Sequence, residues 1–392
     1  MEECTQADEI AQKIIERKPL YVAITGGEPL LVFDKVKNCI TKFVESGITC
    51  SISTNGTLIT DEVASFLSEN NVDLVISLPS IDPMICDAVC GAKNVVQKLS
   101  KVWDILKKYH ITTNINVVVN KLNISTLFQT LEAICKLGFI ARVGMAQKPI
   151  NASKEYLKYE LDKNDFKYIV NECIRAKKEL NLDLDFSVCI PDCAFDNIEQ
   201  MRQLEKGSCF AGTIAYAVCT NGDVKACQCD TKVYGNILTD DFSCIYKSMS
   251  EWRNNALLPK ECESCTRLFE CQGGCRVEAY ASQNRYDTMS SFADINNFSV
   301  TRSEEIEEEI KDYSLSSFVV SEEAVFLKDL ECTRVSVGIV AVFLEDEFAV
   351  WLKRNKHFSF QMLSQAAELS NTELNIILEM LLKNGIIKKL ED

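Results

Sequence analysis

The sequence predicts an α/β fold followed by a metal-bearing extension and a small C-terminal module, on three observations. Up to about residue 190, apolar runs of strand length alternate with amphipathic helical stretches. Between Cys209 and Cys275, six of the cysteines take on ligand spacing. Beyond residue 323, short strand and helix patterns follow an acidic run.

Bulk properties narrow the field. A chain of 392 residues carries roughly two or three domains. At 47% hydrophobic and 25% charged it has the composition of an ordinary globular protein. A formal charge of −15 gives no basic footprint, so neither nucleic acid nor a membrane surface is expected as a partner. No apolar run reaches the roughly 20 residues that span a bilayer. Met1-Glu2-Glu3-Cys4 opens without a signal peptide, and the expected location is cytoplasmic. Nineteen cysteines in such a chain point to metal or redox chemistry before disulfides. Cys39, Cys135 and Cys173 fall on apolar positions of helical patterns and are expected as small buried hydrophobes.

Glu9–Lys18 reads as a short amphipathic helix ended by Pro19. Leu20–Thr25 is an apolar run of strand length that feeds Gly26-Gly27-Glu28-Pro29, and a helix follows around Lys35–Glu45. Further strands are expected at Ile48–Ser53, Val72–Leu78, Ile111–Val119 and Phe139–Met145. Helices are expected at Asp61–Glu69, Asn94–Tyr109 and Ser125–Leu137. A long helix over Leu161–Leu180 leads to a last strand at Leu182–Val188. This alternation implies a parallel sheet or barrel, because parallel strands need helical crossovers to join them.

In such folds chemistry gathers at the C-terminal ends of the strands. Those ends carry Gly26-Gly27-Glu28-Pro29, Ser53-Thr54-Asn55-Gly56-Thr57 and Ser77-Leu78-Pro79-Ser80. Two adjacent glycines let a ligand approach the backbone, and Glu28 offers a carboxylate to an ammonium. Each stretch alone is an ordinary turn sequence. Their recurrence on successive strand ends gives them weight.

On these residues, the first half resembles the radical SAM superfamily. The resemblance implies a partial (β/α) TIM-like barrel that lacks its first strand. It assigns Gly26, Gly27, Glu28 and Pro29 to the methionyl amino group of S-adenosylmethionine, and Ser53, Asn55 and Ser77 to the nucleoside. Three departures accompany it. The family's Cys-x3-Cys-x2-Cys loop, which holds the catalytic [4Fe–4S] cluster, has no counterpart: only Cys4 precedes Gly26, and Cys86-x3-Cys90 lacks a third member. Pro79 stands where the family has an acidic residue, and Cys90-Gly91 where it often has Arg-Gly. The chain is accordingly expected to be an N-terminally shortened form of a longer gene product, or else a paralogue without the chemistry.

The second half of the cysteine region reads Cys262-x2-Cys265-x5-Cys271-x3-Cys275, and its first half offers Cys209 and Gly222-x4-Cys227. Thiolates bind soft metals, and a two-residue spacing lets one turn present two sulfurs. Between them, Ala215–Val218 and Thr220–Val224 read as a hairpin turning at Asn221-Gly222. Cys-x2-Cys pairs alone also suit a zinc ribbon. The full order, with Gly235-Asn236-Ile237 and Gly273-Gly274-Cys275-Arg276, resembles the SPASM domain, which carries auxiliary iron–sulfur clusters. That resemblance gives Cys209, Cys227 and Cys275 to a first [4Fe–4S] cluster, completed by Cys193 or Cys189, with Cys219 a weaker choice. It gives Cys262, Cys265 and Cys271 to a second. The pattern's seventh cysteine is missing, which leaves Asp287, the distant Cys332 or an exogenous ligand for the second cluster.

Ser303–Glu309 is an acidic run expected as a solvated helix or linker. Strands are expected at Ala324–Leu327 and within Val335–Phe343, helices at Phe348–Arg354, Phe360–Glu368 and Thr372–Asn384, and a wing at Ile386–Leu390. Ser370 is the expected cap of the third helix. This order resembles a winged helix. Glu373 and Glu379 on its third helix speak against DNA, and the resemblance to peptide-clamping modules implies a leader peptide at a sheet edge. The expected divisions are 1–185 for the barrel, 186–290 for the cluster extension, 291–322 for an acidic linker and 323–392 for the recognition module.

Together the resemblances imply a radical SAM/SPASM enzyme that modifies a precursor peptide or protein, fed by an electron-donor protein. A 5′-deoxyadenosyl radical would remove a hydrogen atom from the substrate, with auxiliary clusters carrying electrons or anchoring it. The rival expectation is a catalytically silent peptide chaperone or electron carrier with the same architecture.

Overall fold

The computed structural model describes residues 2–187, 189–204, 206–207, 209–265, 267–294, 311–328, 332–337, 340–367 and 369–390. The acidic run 303–309 lies outside them. The chain divides into two compact units, Met1–Ser299 and Val300–Asp392.

The first unit opens with helix α1 (Glu2–Glu16), which packs on the next helix through a Lys42–Asp8 ion pair of 2.6 Å and the buried Ala11. Six parallel strands follow in simple order, β1 (Tyr21–Ile24), β2 (Thr49–Thr54), β3 (Asp73–Ser77), β4 (Thr113–Val119), β5 (Ile140–Met145) and β6 (Leu184–Phe186). Crossovers run through α2 (Phe33–Glu45), α3 (Asp61–Glu69), α4 (Pro83–Cys90), α5 (Val95–Lys108), α6 (Leu127–Leu137) and α7 (Lys163–Leu180). This is the partial TIM-like arrangement; α1 begins at Glu2, seven residues before the expected Glu9, and the bounds of the strands and crossover helices fall within two residues of those the periodicity predicts.

The exception is α4, which lies in a stretch that gave no helical pattern. Its cause is local: Asp82 caps the N-terminus by accepting from Met84 and Ile85 N–H, and Pro83 takes the first helical position.

Strand side chains alternate between two faces. Ile52, Leu74, Ile76, Ile115, Val117, Ala141, Val143, Leu184 and Phe186 share one face through the strand register and are buried in one continuous core with the helices. The other face carries Ser53, Ser77, Asn114, Asn116, Arg142 and Asp185, all partly or fully exposed. The helices therefore cover one face and leave the second polar and open.

Beyond β6 the unit continues with α8 (Ile198–Leu204) and a small antiparallel sheet of β7 (Ala217–Val218), β8 (Asp223–Lys225) and β9 (Gly235–Asn236). Its first turn is the expected Asn221-Gly222: Gly222 has φ +89°, and a Cβ there would lie 2.5 Å from Asn236 Oδ1. Helices α9 (Phe242–Ser248), α10 (Leu268–Cys271) and α11 (Arg276–Gln283) complete it.

The second unit holds two antiparallel sheets. One is ordered β14 (His357–Ser359), β10 (Ser317–Val320), β15 (Ile387–Lys389); the other is β11 (Val325–Lys328), β12 (Thr333–Val337), β13 (Val340–Leu344). Helices α12 (Asp346–Arg354), α13 (Phe360–Ala366) and α14 (Asn371–Lys383) match the three expected. Two readings are corrected. Val335–Phe343 divides between two antiparallel strands, with Val337 opposite Val340. Residues 311–322, placed in a linker, carry β10, whose Phe318 and Val320 are buried in the unit's core beside Leu378 and Leu381. Ser370 and Glu373 form a reciprocal capping box on α14.

Two substitutions test these accounts. Gly56 has φ +75°, and a Cβ would lie 2.9 Å from Leu99 Cδ2. Gly56→Ala should therefore cost on the order of 1–3 kcal/mol in urea unfolding; an unchanged midpoint would refute the packing. Ser370→Ala should destabilise the second unit by about 1 kcal/mol, read as earlier loss of its helical signal.

Candidate functional site

The loop after β1 has the geometry that two glycines impose. Gly26 and Gly27 take φ of +97° and +51°, and no atom lies within 4 Å of a Cβ built on either. Backbone groups there face open space. Glu28 is tied to its surroundings: Oε1 accepts from Leu30 N–H at 3.1 Å and Thr54 Oγ1 at 2.5 Å, and Oε2 accepts from Asn55 N–H at 2.8 Å. A carboxylate has about four lone-pair sites. With three hydrogen bonds made, one site on Oε2 remains for a ligand cation. Pro29 is buried and starts a short 3-10 turn.

Glu28 thus locks the ends of β1 and β2 together. The same turn commits Asn55, whose Oδ1 accepts from Thr57 N–H at 2.9 Å and Thr57 Oγ1 at 2.7 Å. Ser53 is half-buried on the open face and Ser77 is exposed at the end of β3. Past Ser77, the Pro79 carbonyl accepts from the buried Asn123 Nδ2 at 2.8 Å, and Ser80 Oγ lies 2.8 Å from Thr126 Oγ1. These bonds draw the chain down toward α4.

The open face holds a row that reasoning from strand ends missed. Register aligns Ser77, Asn116, Arg142 and Asp185 on neighbouring strands, with Arg142 Nε donating to Asp185 Oδ2 at 2.8 Å. The alternation Asn114-Ile115-Asn116-Val117 in β4 was the available signal.

The cysteines sort into two neighbourhoods. In the first, Cys189 hydrogen-bonds Cys209 and lies in the electrostatic range of Cys275, which also acts on Cys227. The hydrogen bond from Cys189 lowers the Cys209 thiol to about 6, and burial raises Cys275 to about 11. Gln147, just past β5, donates Nε2–H to Cys275 Sγ at 3.5 Å, and Glu278 N–H donates to the same sulfur at 3.4 Å. In the second, Cys193 lies in the electrostatic range of Cys271, Cys265 and Cys262, and its thiol is raised to about 11 by burial and then by Cys271. Asp192 N–H donates to Cys271 Sγ at 3.3 Å. Of the two upstream thiols expected beside Cys209, Cys227 and Cys275, Cys189 interacts with Cys209 and Cys193 with Cys271. Among the described residues, no three His, Cys, Asp or Glu side chains close on a single metal ion. A four-iron cubane holds its thiolates further apart than one ion does.

Arg276 runs between the two sets. Its guanidinium is buried and donates to the carbonyls of Leu257, Tyr286, Thr288, Gly274 and Gly273. Its described hydrogen-bond partners are all neutral carbonyls, while Cys262, Cys275, Cys209 and Cys271 act on it electrostatically. A buried cation requires a nearby negative charge, which the thiols of Cys262, Cys275, Cys209 and Cys271 would supply on ionising or on binding a metal cluster. The residues of the extension fit such groups.

Residues 4–134 match the radical SAM superfamily. This stretch is a radical SAM domain. Over 279 residues the chain is 23% identical to the AdoMet-dependent heme synthase of Nitratidesulfovibrio vulgaris, covering 66% of this chain and 74% of that one. Over 280 residues it is 27% identical to the cysteine-type anaerobic sulfatase-maturating enzyme of Clostridium novyi, covering 65% and 72%. Its fold matches the structure of anSMEcpe with bound AdoMet and Kp18Cys peptide, with a TM-score of 0.57 at 20% identity over 73% of this chain and 85% of that one. The radical SAM family uses a [4Fe–4S] cluster with S-adenosylmethionine, and its SPASM-type members add auxiliary clusters. Only Cys4 precedes β1 of the radical SAM domain, so this chain's residues do not compose the family's three-thiol loop. Among the described residues, no helix is long and apolar enough to cross a membrane.

Asp192 joins the extension to the loop after β6. Its buried carboxylate accepts from Arg267 Nε at 2.7 Å, and the Lys206 ammonium lies 2.8 Å away as a charge contact. Asp192→Ala should cost about 3–5 kcal/mol, since it leaves buried cations facing an uncharged methyl. Denaturant unfolding showing a loss under about 1 kcal/mol would mean that the pair contributes like a surface bridge.

Proposed function

We propose that the chain works as a radical SAM/SPASM maturase acting on a peptide or protein. The observation that carries the reading is the contact between Gln147, at the mouth of the barrel, and Cys275 in the cysteine extension. In this reading the contact would hold an electron-carrying platform beside the polar sheet face that would receive a substrate. The relative that matures sulfatases and the peptide-bound anSMEcpe structure support a polypeptide substrate.

Each part of the chain has a role in this reading. Gly26 and Gly27 present backbone to the methionyl end of S-adenosylmethionine, and the remaining lone pair of Glu28 receives its ammonium. Ser53, Asn55 and Ser77 line the nucleoside. In the family, the cofactor pair supplies a carbon-centred radical after one-electron reduction, so the protein's task is orientation and exclusion of water. Cys209, Cys227 and Cys275, and Cys262, Cys265 and Cys271, hold auxiliary [4Fe–4S] clusters that pass electrons or anchor substrate. An electron-donor protein supplies the reducing equivalents. The exposed edges of the β11–β12–β13 sheet offer a leader segment a strand to pair with.

A second reading has its own observation. Pro79 in the acidic position suits a silent peptide chaperone or electron carrier. Protein purified anaerobically from its source and reduced with dithionite separates the two. The maturase releases 5′-deoxyadenosine from S-adenosylmethionine; iron at the auxiliary level without that product establishes the silent form. Glu28→Ala should weaken S-adenosylmethionine binding by about tenfold or more in calorimetry. Equal affinity would remove Glu28 from the site.

A further inference from the structure

We infer that the loop after β6 turns Cys193 to the second auxiliary cluster, where it completes the set of Cys262, Cys265 and Cys271 in place of a downstream cysteine, while Cys189 takes the upstream place that the SPASM resemblance leaves open beside Cys209, Cys227 and Cys275. This deepens the proposed function and rests on the reading of the extension as cluster-bearing. No cysteine lies between Cys275 and Cys332, so the second set has no downstream thiol nearby in sequence. Asp287 is half-buried and engaged by Arg285 through two hydrogen bonds, at 3.0 and 2.6 Å.

Three ties hold residues 190–194 against the cysteine loop, and a fourth holds them to Asp294. Pro191 packs on Gly274 so closely that a Cβ there would lie 2.6 Å from Pro191 Cδ, which explains the glycine at φ +79°. Asp192 N–H reaches Cys271 Sγ, and the Asp192 carboxylate reaches Arg267, in the segment between Cys265 and Cys271. The Cys193 carbonyl accepts from Asp294 N–H at 3.2 Å, which fixes the far side of the turn. The 3-10 turn Asp192–Ala194 then sets Cys193 in the electrostatic range of Cys271, Cys265 and Cys262. Cys189 precedes Pro191 and lines a cavity with Gln147 and Cys275. Three intervening residues thus separate a thiol beside Cys209 from one beside Cys271. Ligand exchange here is a substitution of protons by iron, with each thiol leaving its proton to solvent.

The test uses the full chain, reconstituted anaerobically with iron and sulfide, with iron counted and reduced clusters followed by EPR. Wild type should hold about eight irons for two cubanes and show two signals. Cys193→Ser should lose or shift the signal that Cys262→Ser removes, and the double variant should go no further. Cys189→Ser should behave in the same way with Cys227→Ser. Cys332→Ser, Asp287→Ala and Cys229→Ser should leave both signals in place. Wild-type protein also gives an answer that needs no variant to fold: iodoacetamide should label Cys193 and Cys189 only after iron is chelated, whereas the exposed Cys244 labels throughout.

Two clusters in wild type with both signals kept in Cys193→Ser, or Cys193 labelled in the loaded protein, would overturn the ligand assignment alone. Zinc, or no metal, in wild type would overturn the cluster reading and this inference together.

Discussion

Burial of Arg276 is the constraint around which the extension is built. Its guanidinium is removed from water and surrounded by five backbone carbonyls, drawn from segments on both sides of the cysteine loop. Neutral carbonyls satisfy hydrogen bonds without cancelling charge. The thiols of both neighbourhoods lie around the same cation, so negative charge placed there is stabilised by a group already buried. The loop closes around one positive centre, and the cysteines are what it presents to either side. Asp192 extends the arrangement: two more cations, Arg267 and Lys206, meet its buried carboxylate and bring the turn after β6 into contact.

The barrel follows from a different asymmetry. Its strands carry apolar residues at alternate positions, and the helices take up that face completely: Ile52, Leu74, Ile76, Ile115 and Val143 have no measurable exposure. A sheet with both faces apolar would have to be covered twice. Here the second face carries Ser53, Ser77, Asn114, Asn116, Arg142 and Asp185 among a few apolar residues such as Val75 and Val118, so it stays stable while largely open to solvent. Glu28 then joins β1 to β2 at the end where that face meets the glycine turn. Rigidity at the rim and openness above it are two results of one strand pattern.

Much of this was legible in the sequence, for reasons particular to each part. The six strands are short apolar runs between caps and turns, and their bounds follow from local chemistry alone. The capping box at Ser370 and the Asn221-Gly222 turn are equally local. Helix α4 was missed because its only signal, Asp82-Pro83, marks a helix start just as well as a turn. Strand β10 was missed because four residues beside an acidic run declare nothing until β14 and β15, far along the chain, pair with them. The sorting of the thiols is of this second kind. Spacing shows that Cys262 and Cys265 share a turn, but not which distant loop lies beside them. Placing Cys193 required the contact of Pro191 with Gly274, which couples residues 83 positions apart in the chain.

The meeting of barrel and extension has a chemical consequence at Glu278. Cys275 caps α11 by accepting from Glu278 N–H, so the helix start and a thiol ligand candidate are one structure. The Glu278 side chain turns back into the cavity shared with Gln147, Lys148 and Cys189. Its Oε1 accepts from Ser282 Oγ at 3.1 Å and Ser291 Oγ at 2.6 Å, while the buried Oε2 has no described partner. An unsatisfied buried carboxylate oxygen carries a desolvation cost of about 1–3 kcal/mol or more. A donor in the cavity would relieve it. The cavity is lined from both sides, by Met145 and Gln147 at and past the end of β5 and by Cys275 and Glu278 of the extension. The carboxylate therefore stands where the strand ends of the barrel meet the extension.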